Sequence, residues 1–148
     1  MSHLVNDNEN IFITLTPNSK DEFGVMCDLK IETELICFDF KSVSENNRYM
    51  SHENINYLSK EVLKLKDLSK YREEDELITS IYPIDMFFTM DVFKANDDLL
   101  FIELSIPIGI YSNSTISGYS FGLDFFVNAV SLIQFFESFI ISCERDSL

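Results

Sequence analysis

The chain has 148 residues and a mass of 17.2 kDa, the size of one domain, so a two-domain enzyme is largely excluded. Its 25 acidic and 11 basic residues leave a formal charge of -14, the wrong sign for a face that must neutralise phosphates, and direct nucleic-acid binding is disfavoured. With 46% hydrophobic residues, 14 Phe among them, it is also far from the composition of acidic disordered chains. A folded, acidic protein with an aromatic interior is expected.

The first ten residues, Met1 to Asn10, carry neither the basic start nor the apolar run of a secretory signal, and they read as a floppy end inside the cell. Ile11 to Thr16 is a β-rich run that Pro17-Asn18-Ser19 should stop. From Val25 to Lys41 the apolar residues change parity: Val25, Cys27, Leu29 and Ile31 are odd, and Ile36, Phe38 and Phe40 are even. An antiparallel hairpin with an even loop pairs odd with even, so a turn at Thr33-Glu34 would set Ile31 against Ile36, Leu29 against Phe38 and Cys27 against Phe40. A bulged single strand is the alternative, because Thr-Glu is poor turn chemistry.

Ser51 stands where an N-cap belongs, with Glu53 in the first turn. Ile55, Leu58, Val62 and Leu65 follow at steps of three and four, which predicts a helix from Ser51 to Ser69, its stripe widened by Tyr57, Leu63 and Leu68. Beyond Glu73-Glu74-Asp75-Glu76, Leu77 to Tyr82 reads as a short strand before Pro83. Met86, Phe88, Met90 and Val92 then share one parity with Leu100, Ile102, Leu104, Ile106 and Ile108. A second hairpin with an odd-numbered loop around Ala95-Asn96-Asp97-Asp98 follows. Gly109 to Gly118 reads as a loop leading to a short strand at Tyr119 to Leu123, and Asp124 as the cap of a last helix from Phe125 to about Cys143. That helix leaves only a thin polar stripe of Asn128, Ser131, Gln134, Glu137 and Ser138, and its apolar run to Ile141 is at the short limit for a membrane span, so a soluble helix is the expectation.

No repeat of fixed period, low-complexity tract or linker divides the chain, so residues 1–148 are expected to form one domain, in which each half repeats a plan of hairpin then helix. The fold class is α+β: a mostly antiparallel sheet of about six strands with two helices packed against it, in the order β-β-β-α-β-β-β-α.

Enzyme signatures are missing. The sequence has no GxGxxG, P-loop, HExxH or CxxC, and its two histidines are poor bases, His3 in the terminus and His52 in the first turn of a helix. Cys27, Cys37 and Cys143, odd in number and set in apolar runs, read as buried, inert thiols of a reducing compartment. The acidic clusters Asp21-Glu22, Glu73-Glu74-Asp75-Glu76 and Asp97-Asp98 lack the alternating ligands of a calcium loop. As solvated loop charge they aid solubility; as a contact surface they would meet a basic protein. No catalytic residue, metal or cofactor is expected.

The path Val25-Met26-Cys27-Asp28-Leu29-Lys30-Ile31-Glu32-Thr33, then Phe38-Asp39-Phe40, then Ser51-His52-Glu53-Asn54-Ile55-Asn56-Tyr57-Leu58 resembles the opening of the WapI-type immunity proteins. Ile84-Asp85-Met86-Phe87-Phe88-Thr89-Met90, Leu100-Phe101-Ile102-Glu103-Leu104 and Phe121-Gly122-Leu123-Asp124 continue the resemblance over most of the chain. It implies a cytoplasmic bacterial protein that binds the C-terminal domain of a cognate polymorphic or contact-dependent toxin and blocks it. A nuclease toxin must itself carry a basic cleft, which an acidic protein could plug. The alternative is a non-catalytic binding domain holding a lipid or small apolar ligand among the Phe and Met side chains, which requires a cavity of ~300 Å³ or more.

Overall fold

A computed structural model describes residues 1–39, 49–72, 75–82, 88–106 and 121–145. Within them the fold is α+β, with nine strands in two antiparallel sheets and two α-helices. The first sheet is built from β1 (Ser2–Val5), β2 (Ile11–Lys20), β3 (Gly24–Thr33), β4 (Cys37–Asp39) and β5 (Tyr49–Ser51), with β4 and β5 both paired to β3. Helix α1 (His52–Leu65) leads through a 3₁₀ turn at Leu68–Lys70 to the second sheet, β6 (Glu76–Ile81), β7 (Thr89–Lys94), β8 (Leu99–Ile106) and β9 (Phe121–Asn128), in that spatial order. Helix α2 (Ala129–Glu144) closes the described chain. The plan of strands then helix does occur twice, but as two sheets rather than one sheet of about six strands.

The helices cross over between the halves. α1 packs on β5 of the first sheet and β6 of the second, while α2 lies on β1, β2 and β9 and against α1. The Asp7 N–H donates to the Phe126 carbonyl at 2.8 Å, which ties the end of β1 to β9. One apolar cluster therefore serves both sheets, from Leu4, Ile13 and Ile31 through Val92 and Ile102 to Phe136 and Phe139. Fully burying a Phe contributes about 3 kcal/mol at most, so the three buried phenylalanines of α2, Phe135, Phe136 and Phe139, are strong anchors of this shared core.

Alternation in strands and threefold spacing in α1 come out as expected: Phe88, Met90, Val92, Leu100, Ile102, Leu104 and Ile106 are buried, as are Ile55, Leu58, Val62 and Leu65. Met86 and Ile108 lie outside the described residues. Ser51 is the N-cap of α1, its hydroxyl accepting from the Asn54 N–H at 3.2 Å. The helix ends at Leu65 rather than Ser69, and Leu63 points into solvent, leaving Leu68 to be buried by the 3₁₀ turn. That turn is pinned by Lys94, a buried lysine whose ammonium donates to the carbonyls of Leu68 at 3.0 Å and Tyr71 at 2.7 Å.

Several expectations are corrected. The N-terminal residues are not a floppy end: Ser2 to Val5 pair with Leu15 to Phe12, and Leu4 is buried in the core. Pro17 does not stop β2; the strand runs on through a bulge between Pro17 and Ser19, beyond the reach of β1, where a missing N–H costs no pairing on that side. The first hairpin exists, but Ile31 faces Phe38, not Ile36: the Thr33 N–H donates to the Ile36 carbonyl at 2.8 Å and the Thr33 hydroxyl receives the N–H groups of Leu35 and Ile36, which centres the turn on Glu34-Leu35, one residue beyond Thr33-Glu34. The parity argument survives, since a shift of two keeps every side chain on its face. Phe40, its expected partner Cys27 notwithstanding, lies outside the described residues.

The largest correction concerns Asp124. It sits within β9, opposite Glu103, and the cap of α2 is Asn128, whose side chain accepts from the Val130 N–H at 2.9 Å. Phe125 and Val127 are buried while Phe126 is exposed, the alternation of a strand, so the apolar run from Phe125 to Ile141 is divided between a strand and a helix. Among the described residues no helix is long and apolar enough to cross a membrane. Gly24 is needed where β5 crosses β3, because a Cβ there would run into the Met50 carbonyl oxygen.

Candidate functional site

Two residues of the acidic loop clusters, Asp21 and Glu76, are engaged by local hydrogen bonds. Asp21 Oδ1 accepts from the Phe23 and Gly24 N–H groups at 2.8 and 2.9 Å and from the Tyr49 hydroxyl at 2.7 Å, an Asx turn that also fastens β5. Those bonds, the Tyr49 one foremost, hold its carboxyl below the ordinary 3.8. Glu22 beside it is exposed. Asp75, Glu76, Asp97 and Asp98 are brought together at one end of the second sheet, where Glu76 pairs with Lys94 across β6 and β7. Glu76 accepts from the Arg72 N–H, and Asp97 approaches the Lys94 ammonium at 3.8 Å. Glu73 and Glu74 lie outside the described residues. Asp21-Glu22 lies between β2 and β3 of the other sheet, so the named clusters are divided between the two sheets.

A different set of carboxylates does. On the face of the second sheet turned away from the core, Asp91 of β7 is directly opposite Glu103 of β8, and Glu103 is directly opposite Asp124 of β9. Three negative charges thus stand side by side at strand spacing, ~4.8 Å. The next rung of the same face is apolar: Leu77, Phe93, Phe101 and Phe126 are in register across four strands. Ring centroids are 6.2 Å apart for Phe93 and Phe101 and 5.2 Å for Phe101 and Phe126, with Leu77 and Phe126 well exposed. The one basic residue of β7, β8 and β9 is Lys94, which is buried against the 3₁₀ turn. None of the three carboxylates has an ion pair among the described residues.

This row was partly legible. Asp91 and Glu103 interrupt apolar sets of even parity, so both point outward, and the even pairing of that hairpin sets them opposite each other. Asp124 was hidden by its resemblance to a helix cap. Like charges directly opposite on neighbouring strands destabilise a sheet, so their stacking here, beside exposed aromatic rings, is a cost that folding alone does not explain.

The other candidates are weaker. His3 is on the outward face of β1 with Nδ1 3.2 Å from the Thr14 hydroxyl, and His52 is an exposed first residue of α1. Among the described residues no three His, Cys, Asp or Glu side chains are close enough to hold a metal ion. Cys27 and Cys143 are buried and burial pushes the Cys143 thiol up to about 12, but Cys37 is exposed on edge strand β4, against the expectation that all three are buried. Among the described residues, the cavity between α1 and β6 bounded by Met50, Asn54, Tyr57, Leu58, Ile81, Tyr82 and Phe88 measures about 10 Å³, room for one water and far short of a lipid, while the larger hollows are open to solvent.

No family model, curated protein or solved structure matches the chain.

Proposed function

We propose that this protein is an immunity protein: it binds a basic toxin domain, one of a contact-dependent or polymorphic system, and neutralises it by protein–protein contact without chemistry of its own. The observation that carries the reading is the in-register row Asp91–Glu103–Asp124 beside the rung Phe93–Phe101–Phe126. Carboxylates and rings two residues apart along each strand, ~6.7 Å, suit arginine, whose guanidinium forks onto carboxylates and stacks on aromatic planes. A nuclease or other phosphate-binding cleft is rich in such side chains, and a row of fixed negative charges presents to it what a phosphate backbone does. The charge of -14 adds long-range steering toward a basic partner.

The test is co-expression with the C-terminal domain of the toxin encoded beside the gene, scored by growth and by co-purification. Wild type is expected to restore growth and to co-purify, and the triple variant Asp91→Asn, Glu103→Gln, Asp124→Asn to lose at least ~100-fold in affinity, as expected when desolvated charge pairs lose one side. A wild-type protein that neither binds nor rescues overturns the function. Full binding by the folded triple variant overturns the face.

A further inference from the structure

The charge of this chain is unevenly distributed. Over α1, the 3₁₀ turn and α2 with its C-cap, Lys60, Lys64, Lys66, Lys70 and Arg145 match Glu53, Glu61, Asp67, Glu137 and Glu144, so the helical layer is neutral and the whole of the -14 lies elsewhere. Approach of two copies through these neutral segments avoids the repulsion between their acidic remainders.

The same layer has an apolar groove open to solvent. It runs between α1 and α2, encloses about 430 Å³ and is lined by Val62, Leu63, Ile140 and Ile141 with Lys66, Glu137 and Glu144 on its rim. Leu63 is 63% exposed and Ile141 57%, and together with Val130, also exposed, they give this side large apolar groups that a monomer leaves wet. The rim of the groove carries a cation on one side and anions on the other: Lys66, the C-cap of α1, already paired with Glu137, against Glu137 and Glu144 of α2, and α1 presents a further exposed lysine, Lys60, outside the groove lining.

We propose that this groove is the interface of a symmetric dimer, with a second copy of the chain as its occupant. A twofold axis along the groove sets α1 of each protomer on α2 of the other, so the exposed Leu63 and Ile141 side chains are covered together and Lys60 and Lys66 of one copy face Glu137 and Glu144 of its partner. This is the self-complementarity that an isologous contact requires. An axis across the groove would instead oppose lysine to lysine and glutamate to glutamate. The carboxylate row of the second sheet looks away from the core and stays accessible, so the dimer stands or falls independently of the proposed function.

Sedimentation velocity over a concentration series tests it, with circular dichroism to confirm folding. Wild type is expected at twice the 17.2 kDa of one chain. Leu63→Glu with Ile141→Glu should weaken dimerisation by ~100-fold or more, since each copy loses two apolar contacts and gains charge. The decisive arm mixes two charge-reversed chains. Lys60→Glu with Lys66→Glu, and Glu137→Lys with Glu144→Lys, should each be monomeric alone and form a heterodimer when combined. A wild-type monomer at all concentrations overturns the proposal, whether the groove then binds nothing or another protein. Charge-reversed chains that dimerise alone, or fail to combine while folded, overturn this geometry.

Discussion

If the row Asp91–Glu103–Asp124 is kept for binding, it should cost stability, and the cost should be concentrated at its centre. Glu103 is opposite two carboxylates, whereas Asp91 and Asp124 are each opposite one. A directly opposed like-charge pair is unfavourable by ~0.2–1 kcal/mol, and two unit charges at ~5 Å in water repel by about 0.8 kcal/mol before screening, so the two scales agree. Glu103→Gln keeps the shape and relieves both pairs, which should stabilise the fold by about 0.4–2 kcal/mol at low salt. Asp91→Asn and Asp124→Asn should each give about half of that. With urea m-values of ~1–3 kcal/mol/M for small domains, the Glu103→Gln midpoint rises by several tenths molar at unchanged slope. At about 1 M salt the screening length falls to ~3 Å and the gain should largely vanish. A Glu103→Gln protein no more stable than wild type at low salt, or a gain that survives high salt, would refute the repulsive row.

Other consequences are checked by similar means. Asn128→Ala removes the cap of α2 and should cost ~1 kcal/mol in urea melts, while Asp124→Ala, which removes any capping oxygen at a strand position and relieves one opposed pair, should not show that loss; the reverse order would restore Asp124 as the cap. Asp21 has its folded pKa held below 3.8, so its contribution is fully present above that value and lost as pH falls through the folded one. Asp21→Asn should therefore narrow the gap between urea midpoints measured at about pH 6 and about pH 3, and an unchanged gap would show the Asx turn to be silent. A thiol reagent at about pH 8 should label Cys37 rapidly and the buried Cys27 and Cys143 only after unfolding, with Cys37→Ser abolishing the fast phase; equal rates at all three would contradict the burial.

What could be read from the residues was what depends on local period. Outward and inward positions of β7 and β8, the stripe of α1 and the Ser51 cap follow from spacings of two and of three to four, and tertiary packing did not override them. The features that escaped were decided by partners distant in sequence. β1 is a strand because β2 lies beside it, and its residues carry no strong period of their own. Phe125-Phe126-Val127 suits strand and helix alike, and the choice is made by pairing with β8, which ends where Asn128 can cap α2. For the proposed site, the net charge suggests a basic partner, while the loop clusters stand out in the sequence only because they are contiguous. Contiguity favours turn chemistry, as Asp21 and Glu76 illustrate; a surface is assembled across strands.

Solubility alone would be served by acidic residues placed anywhere, so a row in register makes a stronger statement than the total. The two can be separated without changing the charge. Ser105 lies on the same outward face as Glu103, one rung along β8, opposite Thr89 and Gly122. Exchanging the two, Glu103→Ser with Ser105→Glu, keeps the formal charge at -14 and moves the central carboxylate off the row. If only total charge matters, solubility, stability and capture of a basic partner all stay as they were. If the row is the recognition element, the exchanged protein gains stability, because both opposed pairs are gone, and binds its partner more weakly, because three carboxylates no longer meet one set of cations. Opposite movement of the two measurements is the signature of a surface kept for binding at the expense of the fold. Movement in the same direction would return the row to ordinary surface charge.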